Sequence, residues 1–284
     1  MADGVLKVAT CQFAVGASIR RNARQIHKFL HKAKKAGADI VHLPECALSG
    51  YVGTDFPNFK GYDWDLLKEE TLKIMSLAGE LGLWVVLGST HKLTEPNKPH
   101  NSLYLIGPNG KIIDRYDKRF CTEGDLKRLT PGNRFVSFTV NGVKCSLLIC
   151  FDLRFPELYR ELYKQNVNCI LQSFYNARQK GPPSVHSYIM RQTIQCRAAT
   201  NYFWISMSNP SGYYSPYPSS FIQPDGKIIK HLRQNRAGIM VNTVDLSRKF
   251  YDPSAPFRDM AIAGVLSNSP KIIRDRRSKM TAQL

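Results

Sequence analysis

Acidic residues are scarce in this 284-residue chain: 22 Asp and Glu stand against 40 Lys and Arg, a formal net charge of +18. The one uncharged stretch longer than 18 residues, 198–224, is broken by Asn, Gly, Ser and Pro, so no membrane-spanning helix is expected. With 43% hydrophobic residues the chain is not composed like a disordered protein either. The seven cysteines (11, 46, 121, 145, 150, 169, 196) are odd in number. They show neither CxxC nor Cys/His metal-ligand spacing, which argues against a disulfide framework and a zinc site. The N-terminal segment is too short and too charged for a secretory signal, so a cytoplasmic protein with reduced thiols is the expectation.

The basic excess has a location. Arg20, Arg21, Arg24, Lys28, Lys32, Lys34 and Lys35 interleave with Ile26, Phe29, Leu30 and Ala33 at helical spacing. The plain reading is an outer helix with one face on a sheet, the alternative a contact for membranes or partners. The tail Lys271 to Lys279 is also basic and undiagnostic.

Short β-rich runs alternate with helical patterns, the signature of an α/β protein. Strands are expected at Val5 to Phe13, Asp39 to Leu43, Trp84 to Ser89, Phe135 to Val140, Val143 to Phe151, Cys169 to Phe174, Tyr202 to Ser208 and Gly238 to Asp245. Two hairpins, Asn101 to Ile106 with Lys111 to Tyr116 and Ser219 to Gln223 with Lys227 to His231, turn on Pro108-Asn109-Gly110 and Pro224-Asp225-Gly226. Helices are expected at Asp65 to Leu81, Pro156 to Lys164 and His186 to Thr200. No linker, composition break or repeat interrupts the pattern, which reads as one domain over 1–284 with an irregular tail from about 250, extended or held in subunit contacts.

Three polar residues follow apolar strands. Cys150 ends one at a strand-to-helix elbow, where a side chain is presented at a sheet edge and a helix N-terminus favours the thiolate; singly it reads as an inert buried cysteine. Glu45, in Leu43-Pro44-Glu45, stands at a strand's carboxyl end, where α/β proteins place their sites; singly it reads as a cap or ion-pair partner. Lys118, between Arg115 and Arg119, reads singly as a solvated charge.

Together they are more specific. Leu43-Pro44-Glu45 through Gly50-Tyr51, Tyr116-Asp117-Lys118-Arg119, and Ile149-Cys150-Phe151-Asp152-Leu153-Arg154-Phe155-Pro156-Glu157 resemble, in this order, the glutamate, lysine and cysteine motifs of the nitrilase superfamily of carbon-nitrogen hydrolases. Val8 to Phe13, Thr130-Pro131-Gly132 and Arg197-Ala198 agree, so the resemblance covers roughly residues 5 to 250. It implies a four-layer α-β-β-α sandwich with two mixed β-sheets, usually assembled as a homodimer or larger homo-oligomer. It implies Cys150 as nucleophile, Glu45 as general base, and Lys118 with the Phe151 N–H as oxyanion donors, without metal or organic cofactor. Substrate-binding positions are expected at Tyr51, Phe151, Phe174, Tyr175 and Asn176.

Two departures stand out. A second family glutamate falls on Asp125, with Glu123 as the other candidate. A carboxylate expected near the site is replaced by Thr200, for which Gln195 or Glu161 could compensate. The aromatic loop of Tyr213, Tyr214 and Tyr217 reads as packing, a subunit contact or a lid, and His186 as structural or near the pocket. Cys150-Phe151-Asp152 resembles amidase branches, where nitrile-cleaving branches show Cys-Trp-Glu. The reading is an amidase acting on a small linear non-peptide amide. An N-carbamoyl hydrolase is the near alternative, and a non-catalytic protein binding anionic partners the distant one. With no nucleic-acid motif, a nucleic-acid partner is not expected.

Overall fold

The computed structural model describes residues 4–176, 185–212, 215–268 and 274–279. Tyr213, Tyr214, the side chain of His186 and the start of the basic tail at Lys271 lie outside the described residues. Where the sequence reads as one domain with an irregular tail, the chain divides into two compact units, 1–250 and 251–284.

The first unit is built from two six-stranded mixed sheets. In the first, β1 (Val5–Gln12), β2 (Ile40–His42) and β3 (Trp84–His91) run parallel, and β4 (His100–Ile106) and β5 (Ile112–Asp117) add antiparallel strands beside β3. In the second, β7 (Val143–Ile149), β8 (Cys169–Ser173) and β9 (Trp204–Ser208) run parallel, with β10 (Ser220–Ile222) and β11 (Ile228–His231) antiparallel beyond β9 and β6 (Ser137–Val140) antiparallel on the other side. The last strand, β12 (Gly238–Asp245), returns to the first sheet and pairs antiparallel with β1, Val5 opposite Asp245. Each sheet thus has three parallel central strands flanked by antiparallel ones, an arrangement in which both faces are covered.

Strand alternation sets the layers. In the first sheet Leu6, Val8, Ile40 and Val86 share one hydrophobic cluster with residues of the second sheet such as Leu147 and Leu171. The alternate residues Ala9, Cys11, Val41, Val85 and Leu87 join Ile26, Phe29 and Leu30 of α1 (Ile19–Lys35) and Ile74 and Ala78 of α2 (Trp64–Leu81). The sheets therefore face each other with α1 and α2 outside the first. On the second sheet, α4 (Pro156–Lys164) and α5 (Val185–Asn201) contribute Tyr159, Leu162 and Ile194 to the cluster. Polar stitches cross the sheet-to-sheet interface: Thr10 Oγ1 lies 2.7 Å from Ser206 Oγ, and His42 sits between Ser206 Oγ (2.8 Å) and Ser173 Oγ (3.0 Å). Burial lowers the His42 pKa to about 3, so the ring is neutral in this core.

Helix α1 starts where Ser18 accepts the Arg21 N–H as an N-cap. Its apolar stripe is buried, and Arg20, Arg21, Arg24, Lys28, Lys32, Lys34 and Lys35 are all exposed. Some ends differ from expectation. Val143 to Phe151 ends as strand at Ile149, because Cys150 to Arg154 coil into a tight 3-10 turn. Tyr202 stands at a φ of 60° before β9 and so lies outside it. A four-residue helix, α3 (Glu123–Leu126), was not visible as periodicity because one turn carries none. In the second unit, α6 (Ala255–Ile262) replaces part of the expected irregular tail, with Pro256 in its first turn, where a missing N–H does no harm. Among the described residues no helix is long and apolar enough to cross a membrane.

Candidate active site

Glu45, Lys118 and Cys150 leave the carboxyl ends of β2, β5 and β7. The elbow at Cys150 is set by its backbone. Cys150 takes a φ of 40°, in the left-handed region that a non-glycine residue adopts only when its surroundings hold it there. Asp152 does much of that holding. Its buried carboxylate accepts the N–H of Ile149 (3.0 Å), the N–H of Phe120 (2.9 Å) and the hydroxyl of Tyr116 (2.8 Å), tying the elbow to the segment that carries Lys118. From the other side, the Arg197 Nε–H donates to Leu153 O at 3.3 Å.

Glu45 is fully buried. Its Oε1 accepts from Asn101 Nδ2 at 2.7 Å and from Lys118 Nζ at 3.0 Å, whereas Oε2 has no hydrogen-bond partner among the described residues. Burial raises the Glu45 pKa above the ordinary carboxylate value, with the Lys118 charge opposing and that of Asp125 adding to the rise. Lys118, 1% exposed, also donates to Asp125 Oδ2 (2.9 Å) and Tyr51 Oη (3.3 Å), and its Nζ lies 5.7 Å from the centre of the Tyr51 ring. Burial works against its charge, but Glu45, Tyr51, Cys150 and Asp125 around it hold its pKa well above that of a free lysine.

Cys150 keeps part of its surface exposed. Its sulfur receives the Tyr175 backbone N–H, and Asn176 Nδ2 lies 3.5 Å away. Burial and then the Glu45 charge push the thiol pKa upward. The elbow thus disfavours a standing thiolate, contrary to the sequence expectation, because the sulfur is desolvated and the Glu45 charge acts on it. A buried carboxylate whose charge reaches a thiol is able to accept its proton, and a buried lysine cation is able to stabilise negative charge.

Of the two supporting acids, Asp125 enters the site and Glu123 is exposed. Asp125 closes a capping box with Thr122, which aims its carboxylate at Lys118 and at the Tyr51 hydroxyl (2.7 Å). Lys118 and its hydrogen bonds hold the Asp125 pKa below the usual value against its burial. Tyr51 and Tyr175 face each other at 4.7 Å. Asn176 bonds Tyr217 through its amide and takes its main-chain hold from Asn209 Oδ1 (2.9 Å). Phe151 is partly exposed and edge-on to Phe155. Phe174, expected against substrate, is fully buried and edge-on to Tyr217; only its backbone reaches the site, accepting the Glu45 N–H at 3.2 Å. Strand alternation after Ser173 turns that ring into the core.

Sequence reasoning missed Asn101, Asn209 and the place of Tyr217, whose side chain is buried beside Asn176. Asn101 leads the expected strand Asn101 to Ile106, a polar residue where burial was foreseeable but its partner was not. Neither substitute for the acid lost at Thr200 reaches the site: Glu161 pairs with Lys164 at the surface, and Gln195 donates to Gly226 O. Among the described residues no group of three His, Cys, Asp or Glu side chains could hold a metal ion.

Two face-to-face mixed sheets between helices, with a cysteine elbow beside a buried lysine and carboxylate, define a nitrilase-type hydrolase. The family model for carbon-nitrogen hydrolases matches residues 7–249, and the chain belongs to that family, whose enzymes act on C–N bonds other than peptide bonds. The chain is similar to the omega-amidase NIT2 of Homo sapiens, 25% identical over 256 residues that cover 85% of this chain and 89% of the relative. Its fold is that of a cysteine-to-alanine mutant of Nesterenkonia AN1 amidase from the nitrilase superfamily, with a TM-score of 0.75 at 19% identity over 93% of this chain and 97% of that one. A glutamate-to-glutamine mutant of the same amidase shows the acetamide moiety of fluoroacetamide covalently added at its active-site cysteine; its TM-score is 0.72 at 20% identity, over 86% of this chain and 91% of that one.

Proposed function

We propose that this enzyme is a thiol-dependent amidase, hydrolysing a small linear non-peptide amide to a carboxylate and ammonia through a thioester on Cys150. The observation that carries the reading is the buried Glu45 carboxylate, with one oxygen engaged and the other without a partner among the described residues, beside a partly exposed Cys150 whose thiol pKa is pushed upward. Glu45 takes the thiol proton as the sulfur attacks the amide carbon, and the carbonyl π pair moves onto oxygen. Lys118 and the Phe151 N–H donate to that oxyanion. Lys118 has three N–H donors and three partners, so the substrate oxygen replaces the most distant, Tyr51 at 3.3 Å. Such a donor supplies on the order of a 100-fold rate gain.

When the oxyanion collapses the C–N bond breaks, Glu45 returns the proton to nitrogen, and ammonia leaves. Water then gives a proton to Glu45 and attacks the thioester; the sulfur departs and takes the proton back. Asp125 acts on Lys118 rather than on substrate, since Lys118, Thr122 and Tyr51 already occupy its oxygens. The similarity to an omega-amidase and the Cys150-Phe151-Asp152 sequence favour amides over nitriles.

The test is ammonia release from ω-amides, aliphatic amides and N-carbamoyl amines by the unmodified protein, Cys150→Ala and Glu45→Gln. Release from an amide that both substitutions abolish is expected. Release that survives Cys150→Ala, or none from the whole panel by folded protein, overturns the reading; release from N-carbamoyl amines alone transfers it to a carbamoyl hydrolase.

A further inference from the structure

Asn101 touches both charged members of the site. It is 1% exposed on β4, and its backbone carbonyl accepts the Lys118 N–H at 2.8 Å. Its side-chain Nδ2 donates to Glu45 Oε1 at 2.7 Å, and its Oδ1 lies 3.5 Å from Cys46 Sγ. A carboxylate can only accept, so the amide nitrogen must face Glu45. The amide oxygen then faces the Cys46 thiol, which is its donor. Cys46 stands at a φ of 53°, a costly conformation that aims its side chain at Asn101 directly after Glu45 in the chain.

The consequence falls on the two oxygens of Glu45. With Lys118 as sole donor, rotation of the carboxylate would exchange them at little cost. A second donor on the same atom, from a rigid strand, makes them unequal: among the described residues Oε1 carries two hydrogen bonds and Oε2 none. We propose that Asn101, oriented by the Cys46 thiol, is a positioning residue that selects Oε2 of Glu45 as the oxygen exchanging the proton with Cys150. This rests on the amidase reading above and deepens it.

The groups facing Glu45 are Lys118, Asp125, Cys46, Tyr51, Cys121, Cys150 and Tyr217. Lys118 stays charged, Asp125 titrates below its usual value, and the thiols and phenols are all pushed upward, so among these groups Glu45 is the one carboxyl raised above its ordinary value.

Labelling of Cys150 by a small haloacetamide, followed against pH by peptide mass spectrometry, reads the Glu45–Cys150 couple without turnover; kcat and KM are measured in parallel. In the unmodified protein labelling should fall on the acid side, and Glu45→Gln should remove that limb. Asn101→Ala deletes a donor to the ionised carboxylate. Its limb should move to higher pH, with kcat down roughly 10- to 100-fold and KM little changed. Cys46→Ala should move the limb the same way by less, and Cys46→Ser, which keeps a donor, should restore it. An unmoved limb with kcat within about twofold of the unmodified enzyme in Asn101→Ala overturns the inference alone, a twofold change being far below that of a displaced base. If Asn101→Ala fails to fold, coincident limbs for Cys46→Ala and Cys46→Ser overturn it. No Glu45-dependent limb in the unmodified protein overturns both the inference and the assignment of Glu45 as base.

Discussion

Gly88, in the middle of β3, lies under the segment that carries Glu45. A Cβ built on it would stand 2.1 Å from Pro44 O, 2.9 Å from Cys46 N and 3.1 Å from the Glu45 carbonyl carbon. All three are backbone atoms, so no side chain can swing away. Real Cβ contacts stay beyond 3.0 Å, so Gly88→Ala must push β3 and the Pro44–Cys46 segment apart by at least about 0.9 Å. The segment is also anchored on this strand, with Leu48 N–H on Gly88 O at 3.0 Å and Leu43 N–H on Val86 O at 3.2 Å, so the movement passes to Glu45 rather than into solvent. A displacement near 1 Å of a catalytic group costs about 100-fold in rate, and overpacking of this kind about 1–3 kcal/mol of stability. The expected result is kcat/KM down about 100-fold, with Tm lower by roughly 2–12 °C for a unit of this size. Steady-state ammonia assays and thermal melts measure both. Gly124→Ala, whose Cβ would meet only Thr122 Oγ1 at 3.8 Å, is the matched control. Gly88→Ala with kcat/KM within about threefold of the unmodified enzyme would refute the reasoning, because it would mean the base tolerates displacement.

Asp125→Asn removes a negative charge that raises the Glu45 pKa, so the acid limb of kcat/KM should move to lower pH, while activity at neutral pH falls roughly 10-fold as Lys118 loses a partner; a pH–rate profile with an unmoved limb contradicts this. Lys118→Met leaves the Glu45 and Asp125 carboxylates buried without their cation, which costs about 3–5 kcal/mol at neutral pH. Without the lysine both carboxyls titrate higher when folded than when unfolded, so the deficit should shrink as pH falls; urea melts at pH 7 and pH 5 that show the same loss count against it. We also propose that the chain self-associates, and a strictly monomeric sedimentation profile at micromolar concentration would defeat that expectation.

The three candidate residues Glu45, Lys118 and Cys150 were legible because each follows a strand and carries a motif around it; strand ends gather at one edge of a sheet, so order along the chain implied closeness in space. The Thr130-Pro131-Gly132 turn was legible as a motif, and its reason became visible only in three dimensions: a Cβ on Gly132 would stand 2.3 Å from Asp117 O, beside Lys118, whose carbonyl accepts the Gly132 N–H. Alternating hydrophobicity also gave most strands and helices, since each buries a periodic face.

What the chain's order could not decide are properties of pairs far apart in it. The closing of the first sheet by β12 on β1, the turning of Phe174 into the core, and the choice of Asp125 over Glu123 depend on which face a neighbouring element covers. The family, and with it the C–N bond chemistry, was written in the order of residue types along the chain. The fold set the environment of each: burial and neighbouring charge raise the pKa of the cysteine and of the glutamate and leave one glutamate oxygen without a partner among the described residues, and these depend on distances that no local pattern encodes.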